Sequence, residues 1–449
     1  MDIPAGCTRR NDPTTAVKYL STVGRSAPAT LSAAIGVGLA DDGGLFVPEV
    51  FPTFQSSDFA RVESLVEVAT ILLSPFFSGD EMESELAAIC HDAFSFPVPL
   101  RPLPYKPSLA VLELFHGPTA AFKDVGARFL AACLQRLEQQ AAKPLKVLVA
   151  TSGDTGGAVA AAFHQRPGIE VYVLYPAGLV SPRQEKQLTC WDDNVHVFRV
   201  GGVFDDCQRL VKEAFASSEL RSVQRLTSAN SISIGRLLPQ SVYYAAAALW
   251  HWREYGRKAS FVVPTGNLGN AVAGIWARHM GLPIDRIVLA TNANRTIPDY
   301  LETGRWEPRQ SLATLASAMD VGNPSNMERL RHLHPDVKTL NEQVSAWAVS
   351  DEQIRNQIKL DYEQHDQLWC PHTATAAYVH DHYLANGGST QDHILVATAH
   401  PAKFETVIEP LIEKEISMPP ALAKLMHLPS CFTDLSPDYA AFQQVLRQA

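Results

Sequence analysis

Leu145-Lys146-Val147-Leu148-Val149-Ala150-Thr151-Ser152-Gly153-Asp154-Thr155-Gly156-Gly157-Ala158 decides the fold, together with the residues that follow it to Tyr175. Leu145 to Ala150 is a short apolar run and reads as a strand. Thr151 to Gly157 is a glycine-rich loop. Ala158 to His164 is an alanine-rich helix closed by Pro167-Gly168, and Ile169 to Tyr175 is a second strand. A crossover helix between two such strands makes them parallel. The pattern returns at Phe261 to Val263, the loop Pro264 to Asn270, a helix from Ala271 to Met280 stopped by Gly281-Leu282-Pro283, and a strand from Arg286 to Ala290. His393 to Ala397 is a last strand, opening into Thr398-Ala399-His400-Pro401. These units predict an α/β fold of two parallel-sheet-containing domains with helices on the faces. Ligands of such sheets gather at the carboxyl ends of strands, where all three loops lie.

Residues 1–100, with short helical stretches at Leu65 to Leu73 and Glu81 to Cys90, form a small N-terminal domain in this reading. The proline-dense run Phe96 to Pro104 reads as an extended linker. Residues 101–144 and 256–449 are assigned to a large domain, and 145–255 to a smaller mobile one. The 449 residues, 46% hydrophobic and 19% charged, suit an ordinary globular protein of two or three domains. A net charge of -9 argues against a nucleic-acid binder with a broad basic surface. It leaves room for a local cationic pocket. No run of 18 apolar residues exists, so no membrane span is expected. Met1 to Arg10 has no apolar core of a signal peptide, and the seven scattered cysteines favour reduced thiols, so a cytoplasmic protein is expected. Cys370-Pro371-His372 has no second pair to complete a metal site, and no metal is expected.

The segment Phe115-His116-Gly117-Pro118-Thr119-Ala120-Ala121-Phe122-Lys123-Asp124 places a lysine in the first turn of a helix. Apolar residues Phe122, Val125, Phe129, Leu130, Cys133, Leu134 and Leu137 recur at helical spacing. The helix dipole disfavours a cation there, and burial would lower the amine pKa into a nucleophilic range. The alternative is a lysine that reaches solvent or pairs with Asp124. Gly266-Asn267-Leu268-Gly269-Asn270 fits a phosphate cup of backbone N–H groups at a helix start. The alternative is a tight turn whose glycines need positive φ. Ser152-Gly153-Asp154-Thr155-Gly156 suits a carboxylate, or else caps its helix through Ser152, Asp154 or Thr155. Neither loop matches a dinucleotide or Walker fingerprint. An amine nucleophile, an anion cup and a carboxylate loop together point to an aldehyde cofactor carrying a phosphate, pyridoxal 5'-phosphate.

Gly117 to Asp124, Thr151 to Gly156, Asn230-Ser231-Ile232-Ser233-Ile234-Gly235-Arg236, Thr265 to Gly269, Ala318 to Asn326 and Thr398 to Phe404 resemble, in order, motifs of the threonine synthase family. Gly36 to Pro48 is similar to that family's N-terminal domain, and the resemblance runs from about Lys18 to Glu409. It implies a fold-type II enzyme that turns O-phospho-L-homoserine and water into L-threonine and phosphate. On this resemblance, Lys123 would hold the cofactor and shuttle protons. Gly266, Asn267, Leu268, Gly269 and Asn270 would hold its phosphate, and Thr398 would meet its ring nitrogen. Ser152, Asp154 and Thr155 would meet the substrate carboxylate or the cofactor ring edge. Asn230, Ser231 and Arg236 would contact the substrate phosphate, with Arg236 its bidentate partner. Water must reach one carbon only, so residues 145 to 255 are expected to close on substrate.

The chain departs from the family at Ser233, where asparagine is common, and at Cys370, where an acidic residue is common. Both bear on substrate identity more than on the cofactor. His116 and His400 are read as hydrogen-bonded loop residues. Rival readings are a lyase or synthase for another phosphorylated amino acid such as phosphoserine, an elimination without water addition, and a non-catalytic carrier of the cofactor. A monomer or homodimer is expected.

Overall fold

Apolar runs buried on both faces become the inner strands of two sheets. The computed structural model describes residues 16–139, 141–386 and 391–448. Within it every residue of Leu145–Ala150, Ala259–Pro264 and His393–Ala397 is buried. Strands of this kind need helices on both sides, as in parallel sheets. The larger sheet has six strands, in the order Val344–Ala348, Ile284–Thr291, Ala259–Pro264, His393–Ala397, Lys106–Glu113 and Leu100–Leu103. Its pairings are parallel except for the last, an antiparallel hairpin. The smaller sheet has five parallel strands, in the order Thr433–Leu435, Val195–Val200, Ile169–Pro176, Leu145–Ala150 and Arg225–Ser228. The stretch Met1 to Arg10, with Cys7, lies outside the described residues.

Two expectations are corrected here. The segment Phe96 to Pro104 is not simply a linker, because Leu100–Leu103 is the edge strand of the larger sheet. Pro102 lacks an N–H to donate, and an edge position tolerates that. The sheets also divide the chain differently from the expected bounds. Thr433–Leu435 pairs with Val195–Val200, and the helix Tyr439–Gln448 places Phe442 edge-on to Phe198 at 6.5 Å between centroids. Residues 433–448 therefore join the smaller sheet. The helix Gln240–Tyr255 lies instead on the larger one, where Tyr244 meets the ring of Phe261 at 5.2 Å. Strand partners distant in sequence and aromatic packing set these memberships, and neither is visible in a local pattern.

The N-terminal region buttresses the helix that carries Lys123. Ser64 and Glu67 form a capping box that starts the helix Leu65–Phe77. Its buried face ends at Phe77, which meets Phe129 of the helix Lys123–Leu137 edge-on at 6.1 Å. A short antiparallel pair, Tyr19–Ser21 with Phe46–Pro48, closes this region. Among the described residues no helix is long and apolar enough to cross a membrane.

Candidate active site

Lys123 is the first residue of its helix, as the apolar spacing predicts. The loop before it is fixed to a strand end. Phe122 N–H donates to the Thr398 carbonyl at 2.8 Å, and His400 N–H donates to the Ala120 carbonyl at 3.0 Å. This pairing brings Lys123 and Thr398 together at the carboxyl end of His393–Ala397. Ala120 takes a left-handed φ of 53°, a strain that side chains accept where the surroundings dictate it. Lys123 does not pair with its neighbour: the buried Asp124 carboxylate accepts Thr119 N–H at 2.9 Å and Thr119 Oγ1–H at 2.6 Å. The Lys123 ammonium has no hydrogen bond or ion pair among the described residues. Burial lowers its pKa to about 8, against the pull of Asp154 and with help from the cations of Arg236 and Lys403.

The loop after Ala259–Pro264 presents main-chain N–H groups. No hydrogen bond among the described residues uses the N–H of Gly266, Asn267, Leu268, Gly269 or Asn270. Their side chains are engaged elsewhere or apolar. Asn267 Nδ2 donates to Ser231 Oγ at 2.6 Å, and Asn267 Oδ1 accepts Ser325 N–H at 2.5 Å. Asn270 Oδ1 accepts from Thr265 Oγ1 at 2.7 Å, and its Nδ2 donates to the Pro264 carbonyl at 2.9 Å. The glycines are not there for positive φ. Leu268, buried, takes that conformation at 62°. Gly266 is required by close approach: a Cβ there would lie 2.6 Å from Met319 Cα. Five N–H groups at the start of the helix Gly269–His279 are left available to an anion among the described residues.

The loop after Leu145–Ala150 is capped by Thr151, not by Ser152, Asp154 or Thr155. Thr151 Oγ1 accepts Gly156 N–H at 2.8 Å and Gly153 N–H at 3.0 Å. That frees Asp154, whose buried carboxylate pairs with Lys403 Nζ at 2.9 Å and accepts Gln184 Nε2–H at 3.0 Å. Burial pushes this carboxyl up, yet Lys403, then Lys123 and His372, hold it well below the usual range. Lys403 also donates to the Thr119 carbonyl at 2.6 Å. Ser152 and Thr155 remain partly exposed, with no side-chain hydrogen bond among the described residues. Thr398 has its N–H on Thr373 Oγ1 at 3.3 Å and its carbonyl on Phe122, leaving the hydroxyl unengaged among the described residues.

Sequence reasoning passed over Lys403 and His372. Lys403 stands within the Thr398–Phe404 motif, but its partner Asp154 belongs to a distant segment. His372 Nε2 accepts Ala318 N–H at 3.1 Å, which puts the proton of the neutral ring on Nδ1. Burial lowers its pKa to about 4. Cys370 caps the helix Pro371–Ala385 through its thiol, accepting Thr373 N–H at 3.4 Å. His116 pairs with Glu113 at 2.8 Å, and His400 Nδ1 accepts Ala402 N–H at 3.1 Å. Ser181 caps the helix Pro182–Thr189 and donates to the Lys403 carbonyl at 2.9 Å.

The segment Asn230 to Arg236 lies against the Lys123 helix. Gly126 permits this, since a Cβ there would lie 2.7 Å from the Arg236 carbonyl. Arg236 is 2% exposed, and among the described residues its guanidinium makes one hydrogen bond, Nη1 to the Ala229 carbonyl at 2.6 Å. Arg236 Nε, Asn230 Oδ1 and Ser233 Oγ are buried without a partner. Burial lowers the Arg236 pKa to about 10, so the guanidinium stays charged at neutral pH. Unpartnered buried polar atoms of this kind can be satisfied by an ordered water or a bound ligand.

The structure supplies an amine of lowered pKa, a loop of unengaged N–H groups, a hydroxyl and a buried guanidinium, tied together by the Phe122–Thr398 and Asn267–Ser231 contacts. These residues fit an aldehyde cofactor with a phosphate tail. The family model described as "Pyridoxal-phosphate dependent enzyme" matches residues 96–398. "Threonine synthase N terminus" matches 18–94, and "Threonine synthase, C-terminal" matches 373–446. A threonine synthase of Haemophilus influenzae is 38% identical, over 93% of this chain and 96% of its own. The crystal structure of a pyridoxal-phosphate-bound threonine synthase from Brucella melitensis superposes with a TM-score of 0.88 at 34% identity, covering 96% of this chain and 99% of that one. That of Escherichia coli gives 0.86 at 35% identity, covering 96% and 99%. The sequence motifs, the fold and these relatives agree: the chain belongs to the threonine synthase family of pyridoxal-phosphate-dependent enzymes.

Proposed function

We propose that the chain converts O-phospho-L-homoserine and water to L-threonine and phosphate. The observation that carries the substrate assignment is the unpartnered trio Asn230 Oδ1, Ser233 Oγ and Arg236 Nε beside the Lys123 helix. A second anion pocket next to a cofactor-phosphate cup suits a phosphorylated amino acid. Lys123 would hold the cofactor, the N–H groups of Gly266 to Asn270 its phosphate, and the Thr398 hydroxyl its ring nitrogen. When bound, pyridoxal phosphate supplies an electron sink for charge developing at the substrate Cα. The Lys123 amine, poised near neutrality, takes and returns protons at the substrate carbons. Arg236, Asn230 and Ser231 orient the leaving phosphate and neutralise its charge as it departs. Ser152 and Thr155, with free hydroxyls at a helix start, receive the substrate carboxylate. Serine at 233 has a shorter reach than the asparagine common there, so its contact with the substrate phosphate is weakened or reshaped. A cytoplasmic setting belongs to this proposal, because the six described cysteines are all free thiols.

The pKa of Lys123 gives a pH prediction. The free amine is the reactive form, so pyridoxal phosphate added to cofactor-free protein should bind covalently faster as pH rises through about 8. Absorbance at stopped-flow times measures this. A midpoint near the ordinary 10.5 would contradict the buried-amine account.

The phosphate pocket is tested with Arg236→Met and two substrates. With O-phospho-L-homoserine, kcat/KM should fall about 100-fold or more, as expected for loss of a buried charge-assisted contact. The wild type should prefer this substrate to O-phospho-L-serine. Preference for phosphoserine would assign the site to the rival lyase reaction.

A further inference from the structure

We propose that Arg329 is a positioning residue for the substrate phosphate, which it serves without touching by holding the Asn230–Arg236 segment and adding buried positive charge behind it. This rests on the reading of that segment as the phosphate pocket.

Arg329 lies on the helix Met327–Leu333 and is 0% exposed. Its guanidinium donates to three segments at once. Nε reaches the Phe46 carbonyl of the N-terminal region at 3.0 Å, Nη1 reaches Asn326 Oδ1 at 2.7 Å, and Nη2 reaches the Ile232 carbonyl at 2.7 Å. Asn326 is thereby oriented so that its Nδ2 donates to the Asn267 carbonyl at 3.0 Å and the Ser231 carbonyl at 3.3 Å. One guanidinium thus ties the cofactor-phosphate loop to the substrate-phosphate segment, and both to the N-terminal region.

Every acceptor of Arg329 is neutral. It has no ion pair among the described residues, and its sequence neighbour Glu328 turns to Thr22 Oγ1 at 2.9 Å. Arg236 is also buried with no carboxylate within ion-pair distance among the described residues, Asp124 acting on it only from farther away. The contrast is Lys403, a buried cation of this chain that does have one, Asp154. A buried charge without a counter-ion is costly. Two cations without a close ion pair, Arg236 and Arg329, flank Asn230 to Ser233, with Asp124 and Glu328 acting on them only at longer range, so a ligand can supply the close counter-charge. A phosphate dianion there offsets the cost of both.

The test uses holoenzyme carrying Arg329→Lys, Arg329→Gln, Asn326→Ala or Arg236→Met, with inorganic phosphate as the competing probe. Inhibition constant, KM, kcat, cofactor absorbance and thermal midpoint are read for each. Arg329→Gln should raise the phosphate inhibition constant and KM about 10-fold while kcat and cofactor content hold. Arg329→Lys, which keeps the charge, should stay within about 3-fold of wild type. Phosphate affinity equal to wild type in a folded, cofactor-loaded Arg329→Gln protein overturns the proposal. So does an equal loss in the Lys and Gln variants. Should Arg329→Gln not fold, Asn326→Ala decides. It keeps the charge but releases the Ser231 and Asn267 carbonyls, so it should raise the inhibition constant about 3-fold or more with kcat held, and no change overturns the proposal. Arg236→Met separates the two readings. If it too leaves phosphate affinity unchanged, the pocket itself is misassigned. If it alone weakens phosphate, only the role of Arg329 falls.

Discussion

Replacing Lys123 with alanine should lower turnover by at least ~10⁴-fold, combining the loss of a covalent amine with the loss of a positioned base. Circular dichroism and thermal midpoint should change little. Lys123 is partly buried and its ammonium holds no hydrogen bond or ion pair among the described residues, so its removal breaks none. Desolvation of the ammonium is relieved, which favours the folded variant slightly. Cofactor absorbance separates the possible outcomes. The covalent signature should vanish even though the cup of Gly266 to Asn270 still binds the phosphate. Activity within ten-fold of wild type would remove Lys123 from the chemistry.

Lys403→Met should have the largest effect on stability. Lys403 is 0% exposed and its ammonium sits 2.9 Å from Asp154, itself 6% exposed. Removing one partner of a buried pair leaves the other charge uncompensated, at a cost of about 3–5 kcal/mol. The variant also loses the hydrogen bond to the Thr119 carbonyl. The pH dependence should flatten. In the wild type the Asp154 carboxyl is held low, so the pair adds stability above the unfolded carboxylate value of 3.8, and this is lost as pH falls through the folded value. Without Lys403 the largest pull against burial is gone and only Lys123, His372 and Gln184 remain, so the carboxyl pKa should rise and the stability gained above pH about 4 should shrink. Adding Asp154→Asn should recover part of the loss. Urea unfolding of the four proteins measures the coupling. Additive losses would contradict the buried pair.

The fold was legible where a run of residues carries its own signal. Leu145–Ala150 and His393–Ala397 lie where their apolar runs place them, and Ile169–Pro176 and Ile284–Thr291 extend the expected strands by one to three residues. Edge strands were not legible: Leu100–Leu103 contains a proline, and Thr433–Leu435 is three residues whose partner is Val195–Val200. The site divides in the same way. Spacing at helix starts marks Lys123 and the Gly266–Asn270 loop as candidates alongside bland alternatives, while Thr398 is singled out only by resemblance to the family motif. Lys403, His372 and Arg329 do not stand out, because each matters through a contact with a segment remote in sequence. Thr151 as the helix cap and Leu268 as the positive-φ residue show a further limit. Local chemistry narrows a role to a loop, and packing selects the residue within it.

The most direct test of the proposed reaction is to incubate cofactor-loaded protein with O-phospho-L-homoserine and quantify phosphate and threonine together. Equal amounts of both are predicted, with neither formed by Lys123→Ala. Phosphate accompanied by 2-oxobutyrate, with no threonine, would contradict it, because water would then not be added at the β-carbon.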